Sequence, residues 1–313
     1  MMKNFIGIDI GGTKCAVVKG DLKRGVVEKI RFETAGVRET LDKIYSAVEK
    51  MMPAVAIGIS CGGPLDEKLG IIKSPPNLPG WDDVHIKDEL ESRFCIPVKL
   101  LNDANAGAIA EWKFGAGKEC ENMLFLTFGT GLGAGMILGG RLYSGTNGNA
   151  GEIGHIRLAD DGPVGYGKAG SFEGFCSGGG IAKLAKAICR DALKRGDPIS
   201  FAKNEGEIEA INTKALADLA HGGDADAKRI FDISAEKLGA GLSVVIDIIN
   251  PERIVIGGVY SRAADLFASG MRAALEREAL APSLSVCEIV PAALGEEIGD
   301  IAALSAAITA AEG

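Results

Sequence analysis

The sequence predicts an α/β protein made of two like halves that face one another across a cleft. Three observations lead there. A strand, a turn of glycine and threonine and a second strand occupy residues 5–18, and the same order returns at 123–138, roughly 120 residues later. Short apolar runs ending in glycine, asparagine or aspartate alternate with longer segments that carry one apolar side, the spacing of strands and helices in turn. At 313 residues with 47% hydrophobic content, the chain exceeds the usual size of a single core and has apolar material for two.

Phe5-Ile-Gly-Ile-Asp-Ile-Gly-Gly-Thr-Lys14 opens the first half. Phe5, Ile6, Ile8 and Ile10 suit a buried strand, and the apolar run resumes at Cys15-Ala-Val-Val18, so the segment reads as a hairpin with Gly11 and Gly12 at its tip. Lacking Cβ, these glycines let backbone N–H groups turn outward toward a bulky anion, and Thr13 and Lys14 add donors, as a phosphate-binding turn requires. An ordinary tight hairpin uses the same residues and stays open as an alternative at this point. Asp9 would repel phosphate unless a divalent cation, bound directly or through water, lies between them. A Walker A loop is excluded because Thr13 separates Lys14 from the glycines and a strand-like run follows. A dinucleotide fingerprint lacks its helix for the same reason.

Further along, Gly25 to Phe32 reads as a strand and Thr40 to Met52 as a helix with Leu41, Ile44, Ala47 and Val48 on one side. Ala54 to Ser60 is a buried strand that breaks at Cys61-Gly-Gly-Pro-Leu-Asp66, either a plain turn or a close approach to ligand. Ser74-Pro-Pro-Asn-Leu-Pro-Gly-Trp81 is a proline-stiffened loop presenting Asn77, a linker or a reader of sugar hydroxyls. The strand Ile96 to Leu101 delivers Asn102-Asp-Ala-Asn105 to the helix Ala104 to Phe114. There, Asn102 or Asp103 caps the helix, or Asp103 projects from a rigid strand end as a general base toward an alcohol.

Gly115-Ala-Gly117 and the charged stretch Lys118 to Glu121 mark a domain boundary, and the opening pattern then returns with Phe128-Gly-Thr-Gly-Leu-Gly133 as its turn. One tight hairpin is common; two matching ones favour the phosphate reading. Thr127 stands where the first copy has Asp9, which leaves the metal-facing carboxylate to one half only. Glu152 and His155 lie three apart in the glycine-rich run Asn147 to His155 and can converge on one polar ligand, although a lone histidine is commonly structural. Glu173 is the one charge that stands out before a helix at Gly180 to Arg195. Helices are predicted at Ile208 to Ala220, Ala225 to Ile249, Arg262 to Leu280 and Asp300 to Ala311, with a buried strand Ile254 to Ile256 ending at Gly257-Gly258. Those glycines place a backbone turn against a flat base or simply join strand to helix.

Composition narrows the function classes. A net charge of -8 and a pI near 5.1 argue against a general nucleic-acid binder and against attraction to anionic membranes. Weakly polar runs at 238–246 and 301–311 are too short to span a bilayer, and the start at Met1 shows no signal peptide. The 7 cysteines are dispersed, with no Cys-x-Cys or Cys-x-x-Cys pair, which suits reduced thiols in a cytoplasm.

Taken together, Asp9-Ile-Gly-Gly-Thr-Lys14, Pro76-Asn-Leu-Pro-Gly-Trp81, Asn102-Asp-Ala-Asn105, Phe128 to Gly133, Gly151-Glu-Ile-Gly-His155 and Ile254-Val-Ile-Gly-Gly258 resemble the ROK sugar kinases and repressors, within the actin, hexokinase and heat-shock-ATPase fold. The resemblance spans nearly the whole chain. It implies two ribonuclease-H-like (actin-like ATPase) domains, residues 1–116 joined by the C-terminal helix at 300–313, and residues 117–299. It also implies ATP-dependent phosphorylation of a hexose at its 6-hydroxyl, with Asp103 as the base and Gly63, Asn77, Asn102, Asp103, Glu152, His155 and Glu173 at the sugar. Gly11, Gly12, Thr13, Lys14, Gly129, Thr130 and Gly131 would wrap the ATP phosphates, Gly257 and Gly258 would lie near the nucleoside, and Asp9 would face Mg²⁺. The residues suit that chemistry on their own terms, since phosphoryl transfer needs mostly positioning and charge neutralisation.

One departure from the resemblance is large. Relatives carry a zinc site made by the histidine of Glu-Ile-Gly-His and three cysteines, whereas Val164, Tyr166 and Ser171 stand at those cysteine positions here, so structural zinc is expected to be absent. The frame of Gly167, Gly170 and Glu173 is kept. Among competing functions, a sugar-sensing repressor would need a helix-turn-helix ahead of the phosphate strand, and Phe5 leaves no room for one. An ATPase that moves partner proteins shares the fold but not the sugar-loop residues. Glucose is the first candidate substrate, with fructose, N-acetylmannosamine, N-acetylglucosamine, allose and β-glucosides open. The resemblance further implies a homo-oligomer, dimer or tetramer.

Overall fold

The computed structural model describes residues 3–312. In chain order its elements are β1 (Phe5–Ile10), β2 (Lys14–Asp21), β3 (Gly25–Glu33), α1 (Val37–Met51), β4 (Ile57–Cys61), β5 (Leu65–Asp66), β6 (Ile71–Ile72), α2 (Ile86–Phe94), β7 (Val98–Asn102) and α3 (Asp103–Phe114). There follow β8 (Met123–Phe128), β9 (Leu132–Ile137), β10 (Val164–Gly165), β11 (Lys168–Ala169), α4 (Phe172–Cys176), α5 (Gly178–Lys194), α6 (Glu205–Glu209), α7 (Thr213–His221) and α8 (Ala225–Ile249). The chain closes with β12 (Arg253–Ile256), α9 (Val259–Glu278), α10 (Ala281–Leu284), β13 (Glu288–Pro291) and α11 (Ile298–Glu312). It divides into two compact units. One holds Met1–Glu119, Gly135–Ala150 and Ala293–Gly313, and the other holds Cys120–Ala134 and Gly151–Ala292. The boundary read from sequence had kept residues 117–119, 135–150 and 293–299 with the second unit.

The first unit is built on a sheet of order β3-β2-β1-β4-β7, with antiparallel pairing from β1 outward to β3 and parallel pairing from β1 through β4 to β7. Side chains alternate across β1. Ile6, Ile8 and Ile10 pack with Leu41, Ile44 and Val48 of α1 and Leu90 of α2, each such burial contributing about 1.5–3 kcal/mol. Phe5 faces the other way, onto Leu304, Ala307 and Ile308 of α11. This helix lies unusually close to the strands. A Cβ on Gly7 would meet the main-chain N of Leu304 at 2.5 Å, and one on Gly58, its register partner on β4, would meet that of Ala307 at 2.0 Å.

In the second unit the sheet runs β13-β12-β8-β9, with β12 parallel to both neighbours. Phe267 of α9 stacks edge-on against Phe128 at 5.5 Å and Phe231 at 5.5 Å, and Tyr260 lies at 5.7 Å. Phe128 ends β8, so this cluster fixes the strand just before the second glycine turn. Among the described residues, no helix is long and apolar enough to cross a membrane.

Several elements differ from the sequence reading. The helix expected over Ile208 to Ala220 is two, because Asn212 takes an extended backbone and caps α7 by accepting from Ala215 N–H at 2.9 Å. The helix expected from Arg262 begins at Val259, with a break at Ala263 (φ -140°). Neither α2 nor β13 was anticipated. In α2 only Ile86 and Leu90 are buried, too few to mark an apolar face, and β13 is an edge strand of mixed exposure.

The C-terminal segment is tied to α3 by one fully buried carboxylate. Glu111 accepts from Ala116 N–H at 2.7 Å and Ala293 N–H at 3.2 Å through Oε2, and from Leu294 N–H at 3.0 Å through Oε1. Both oxygens face donors. Glu111→Ala should therefore destabilise the first unit by about 3 kcal/mol, since buried N–H groups left unpaired cost about 1–3 kcal/mol each. Glu111→Gln should rescue little, because its NH₂ would meet a donor. Denaturant unfolding of the two variants checks this, and a glutamine variant as stable as the parent would contradict it.

Candidate active site

In the first unit the carboxyl ends of β1, β4 and β7 lie in register, Ile10 beside Cys61 and Cys61 beside Asn102. Each strand delivers a distinct segment to that edge: Gly11-Gly12, Gly62-Gly63 and Asn102-Asp103. Ligands bind at such an edge in open parallel sheets. The proline-rich loop joins it, for a Cβ on Gly12 would meet the main-chain O of Asn77 at 2.3 Å, and one on Gly62 would lie 3.8 Å from Asn77 Nδ2. Gly11 N–H closes the first turn on Lys14 O at 3.1 Å, and Thr34 Oγ1 donates to Gly11 O at 2.6 Å. Thr13 and Lys14 remain exposed at the tip.

Asp9 shares the face of β1 that meets α11. Burial pushes its carboxyl from the ordinary 3.8 up to about 6, Asp300 and Asp103 add to the rise, and Lys29 and Arg31 oppose it. A Cβ on Gly299 would stand 2.8 Å from Asp9 Oδ2, and Asp300 is paired with Lys29. The neighbouring strand end divides its labour between two residues. Asn102 Oδ1 accepts from Asn105 N–H at 2.7 Å and caps α3, so its Nδ2 is the group the cap does not use. Asp103 accepts from the adjacent Ala104 N–H at 2.9 Å. Crowding by protein raises the Asp103 carboxyl above the ordinary range, opposed by that N–H, while the residue stays open to water, which limits the rise.

The second unit gathers its predicted residues around the other turn. Gly129 N–H closes this turn on Gly131 O at 3.1 Å, and the hydroxyl of Thr127 accepts from Gly133 N–H at 3.0 Å, spent inside the hairpin. The start of α5 supports it, with Gly178 N–H donating to Gly129 O at 2.7 Å and Gly179 N–H to Thr130 O at 3.3 Å. Glu173 Oε2 accepts from Leu132 N–H at 3.1 Å, and a Cβ on Gly131 would come within 2.7 Å of it. Gly154 packs on Leu132 O and Glu173, which brings the loop of Glu152 and His155 to the same place, with both of those residues exposed. Gly258, at φ +62°, lies so close to Phe128 that a Cβ would meet its carbonyl at 2.0 Å.

Hydrogen bonds hold the loop between His155 and Glu173. Arg157 Nη1 donates to Ala169 O at 2.8 Å, Lys168 Nζ to His155 O at 2.7 Å and Lys183 Nζ to Val164 O at 2.9 Å. Ser171 Oγ caps α4 by accepting from Gly174 N–H at 3.1 Å. No group of three or more His, Cys, Asp or Glu side chains suited to a metal occurs among the described residues.

The model of the ROK family matches residues 5–310. The chain belongs to the ROK family. A glucokinase from Streptomyces coelicolor is 33% identical over 304 residues, covering 95% of both chains. The crystal structure of a ROK hexokinase from Thermus thermophilus superposes with a TM-score of 0.81 at 31% identity, covering 99% of each chain. A ROK glucokinase from Streptomyces griseus, solved with glucose and AMPPNP, gives 0.75 at 31% identity over 98% of this chain and 99% of that one. The mixed α/β architecture is accordingly the two-domain actin-like ATPase fold of ROK proteins.

Three contributors to these two edges escaped the sequence reading. Thr34 and Glu67 act on main-chain groups 23 and 35 residues away, beyond any local pattern. Ser177-Gly-Gly-Gly180 was within reach, because Ser177 Oγ accepts from Gly180 N–H at 2.8 Å as an ordinary helix cap.

The raised carboxyl of Asp9 has a consequence for stability. An acid whose proton is held more tightly in the folded state favours folding at low pH. That contribution is lost as pH rises from 3.8 through about 6, worth up to about 3 kcal/mol. Asp9→Asn should therefore raise the melting temperature of the ligand-free ROK protein at pH 8 and change it little below pH 4. Thermal melts across that range check the sign, and an equal shift at both ends would refute it.

Proposed function

We propose that the chain is a sugar kinase that transfers the γ-phosphoryl group of ATP to the 6-hydroxyl of a hexose, with glucose as first candidate. The observation that carries this is the shared edge of the first unit, where the first glycine turn ends β1, the Asn102-Asp103 pair ends β7, and the loop of Asn77 packs against the first turn. Similarity to glucokinases of about one-third identity supports the class of reaction. The sugar oxygen attacks the γ-phosphorus, the bond to the β-phosphate oxygen breaks, and the hydroxyl proton passes to the Asp103 carboxylate. An exposed carboxylate with a raised proton affinity suits that proton.

Asn77 and Asn102 supply amides to the sugar, and in the second unit Glu152, His155 and Glu173 supply further polar groups. Gly11 to Lys14 and Gly129 to Gly131 serve the phosphates, and Gly257 and Gly258 the nucleoside. Asp9 fits a divalent cation, because its charge is crowded by two other carboxylates and is costly to keep. Mg²⁺ bound there would neutralise phosphate charge during transfer. Zinc does not fit the loop at 157–173. Val164 and Tyr166 offer it no ordinary ligand, Ser171 is occupied as a cap, and three cationic side chains already pin the loop's carbonyls.

Asp103→Asn should cut turnover by a factor of about 10² to 10⁴ while sugar binding, followed by calorimetry, changes little. ATP consumption should depend on added hexose, and a coupled assay across a hexose panel identifies which. Full turnover in the variant would remove Asp103 from the chemistry, and sugar-independent hydrolysis would favour a partner-moving ATPase. Elemental analysis of purified protein should find no stoichiometric zinc, and chelators should leave its melting temperature unchanged. One zinc per chain would overturn the metal-free reading.

A further inference from the structure

We infer that Glu67 is a positioning residue for Asp103, acting as a hydrogen-bond clamp on the two residues that bracket it. The inference rests on the kinase reading above. Glu67 sits in the turn between β5 and β6, where Asp66 Oδ1 accepts from Lys68 N–H at 3.1 Å and Leu69 N–H at 3.0 Å. That turn sends the Glu67 side chain to the start of α3. Its Oε1 accepts from Asn102 N–H at 3.0 Å and from Asn105 Nδ2 at 2.8 Å.

Asn105 is fully buried, and its Oδ1 meets no donor among the described residues, so Glu67 is what orients that amide. Asn105 N–H in turn bonds the cap oxygen of Asn102. Three bonds thus close a loop through Glu67, Asn102 and Asn105 around Asp103, whose own carboxylate accepts from the neighbouring Ala104 N–H. The direction of the Asp103 side chain is therefore set by the backbone at 102–105, and the clamp fixes that backbone. A misplacement of about 1 Å in a reacting group costs about 10²-fold in rate.

Both clamped donors reach the same oxygen, and this separates the clamp from a role for charge. Glutamine offers that oxygen unchanged, and alanine offers none. Glu67→Ala should lower kcat by about tenfold to a hundredfold and leave the KM for ATP within about twofold, because neither phosphate turn is touched. Glu67→Gln should keep kcat within about threefold of the parent. The assay is sugar-dependent ADP release by the full chain, with glucose and the hexose panel as probes. Unchanged kcat in the alanine variant overturns the proposal, and so does a glutamine variant as impaired as the alanine one.

A second readout needs no activity. Hydrogen exchange at Asn102 N–H and at the Asn105 amide should accelerate by about tenfold or more in Glu67→Ala and stay slow in Glu67→Gln. Unchanged exchange in the alanine variant overturns the clamp whatever the kinetics. A parent protein that never consumes ATP in the presence of any hexose defeats the kinase reading instead, and the exchange data then judge the clamp alone.

Discussion

The first unit depends on one close approach, that of α11 to the pair of glycines on β1 and β4. Gly7 and Gly58 are register partners, and the helix above them is faced with Ala303 and Ala307, so main chain packs on main chain with no side chain between. The dispersion gained there is spread over many small contacts, and no larger residue fits without lifting the helix. The position of everything at the start of α11 follows. Gly299 is brought against the Asp9 carboxylate, and Asp300 reaches Lys29. The crowding that raises the proton affinity of Asp9 is thus a product of packing two turns of helix away, and the strand that bears Asp9 is the strand the helix holds down.

The two glycine turns share a sequence pattern and use it differently. In the second, the hydroxyl of Thr127 bridges β8 and β9 and the start of α5 secures the turn's carbonyls, so the hairpin is braced from within. In the first, Asp9 occupies the equivalent place and makes no such brace; Thr34, from the end of β3, secures Gly11 O instead. A carboxylate that bridged its own hairpin would be spent on structure. Left unbraced, its carboxyl has a proton affinity raised by burial and by Asp300 and Asp103.

Much of this arrangement was legible in the sequence because it is local. Turn glycines, the strand-to-helix junction at Asn102-Asp103 and the alternation along β1 are each set by residues within a few positions of one another. The junction also shows where local reading stops short. Capping and base catalysis stood as rival roles for that pair, whereas Asn102 takes the cap with one oxygen and leaves Asp103 exposed beside it. What escaped were side chains that act at a distance: Thr34 donating to Gly11 O, Glu67 accepting from Asn102, and Glu111 accepting from Ala293 and Leu294. Each satisfies a main-chain group that any residue would present, so no pattern of side chains announces it, and only the tertiary fold names the partner.

Glu67 and Glu111 show why the same residue type serves two ends. Glu111 is fully buried with both oxygens engaged by main-chain N–H groups, and its two-sided acceptor character is what the site needs. Glu67 is half-buried and uses one oxygen for both donors, which leaves the other edge of its carboxylate uninvolved in the clamp. In the first case the geometry calls for an acceptor on both sides, which glutamine, with one oxygen and one NH₂, does not offer. In the second, a neutral acceptor suffices. The charge at position 67 is then a surplus that the site tolerates because the N-terminal end of α3 is electropositive and favours an anion there. A carboxylate so placed adds rigidity beside Asp103.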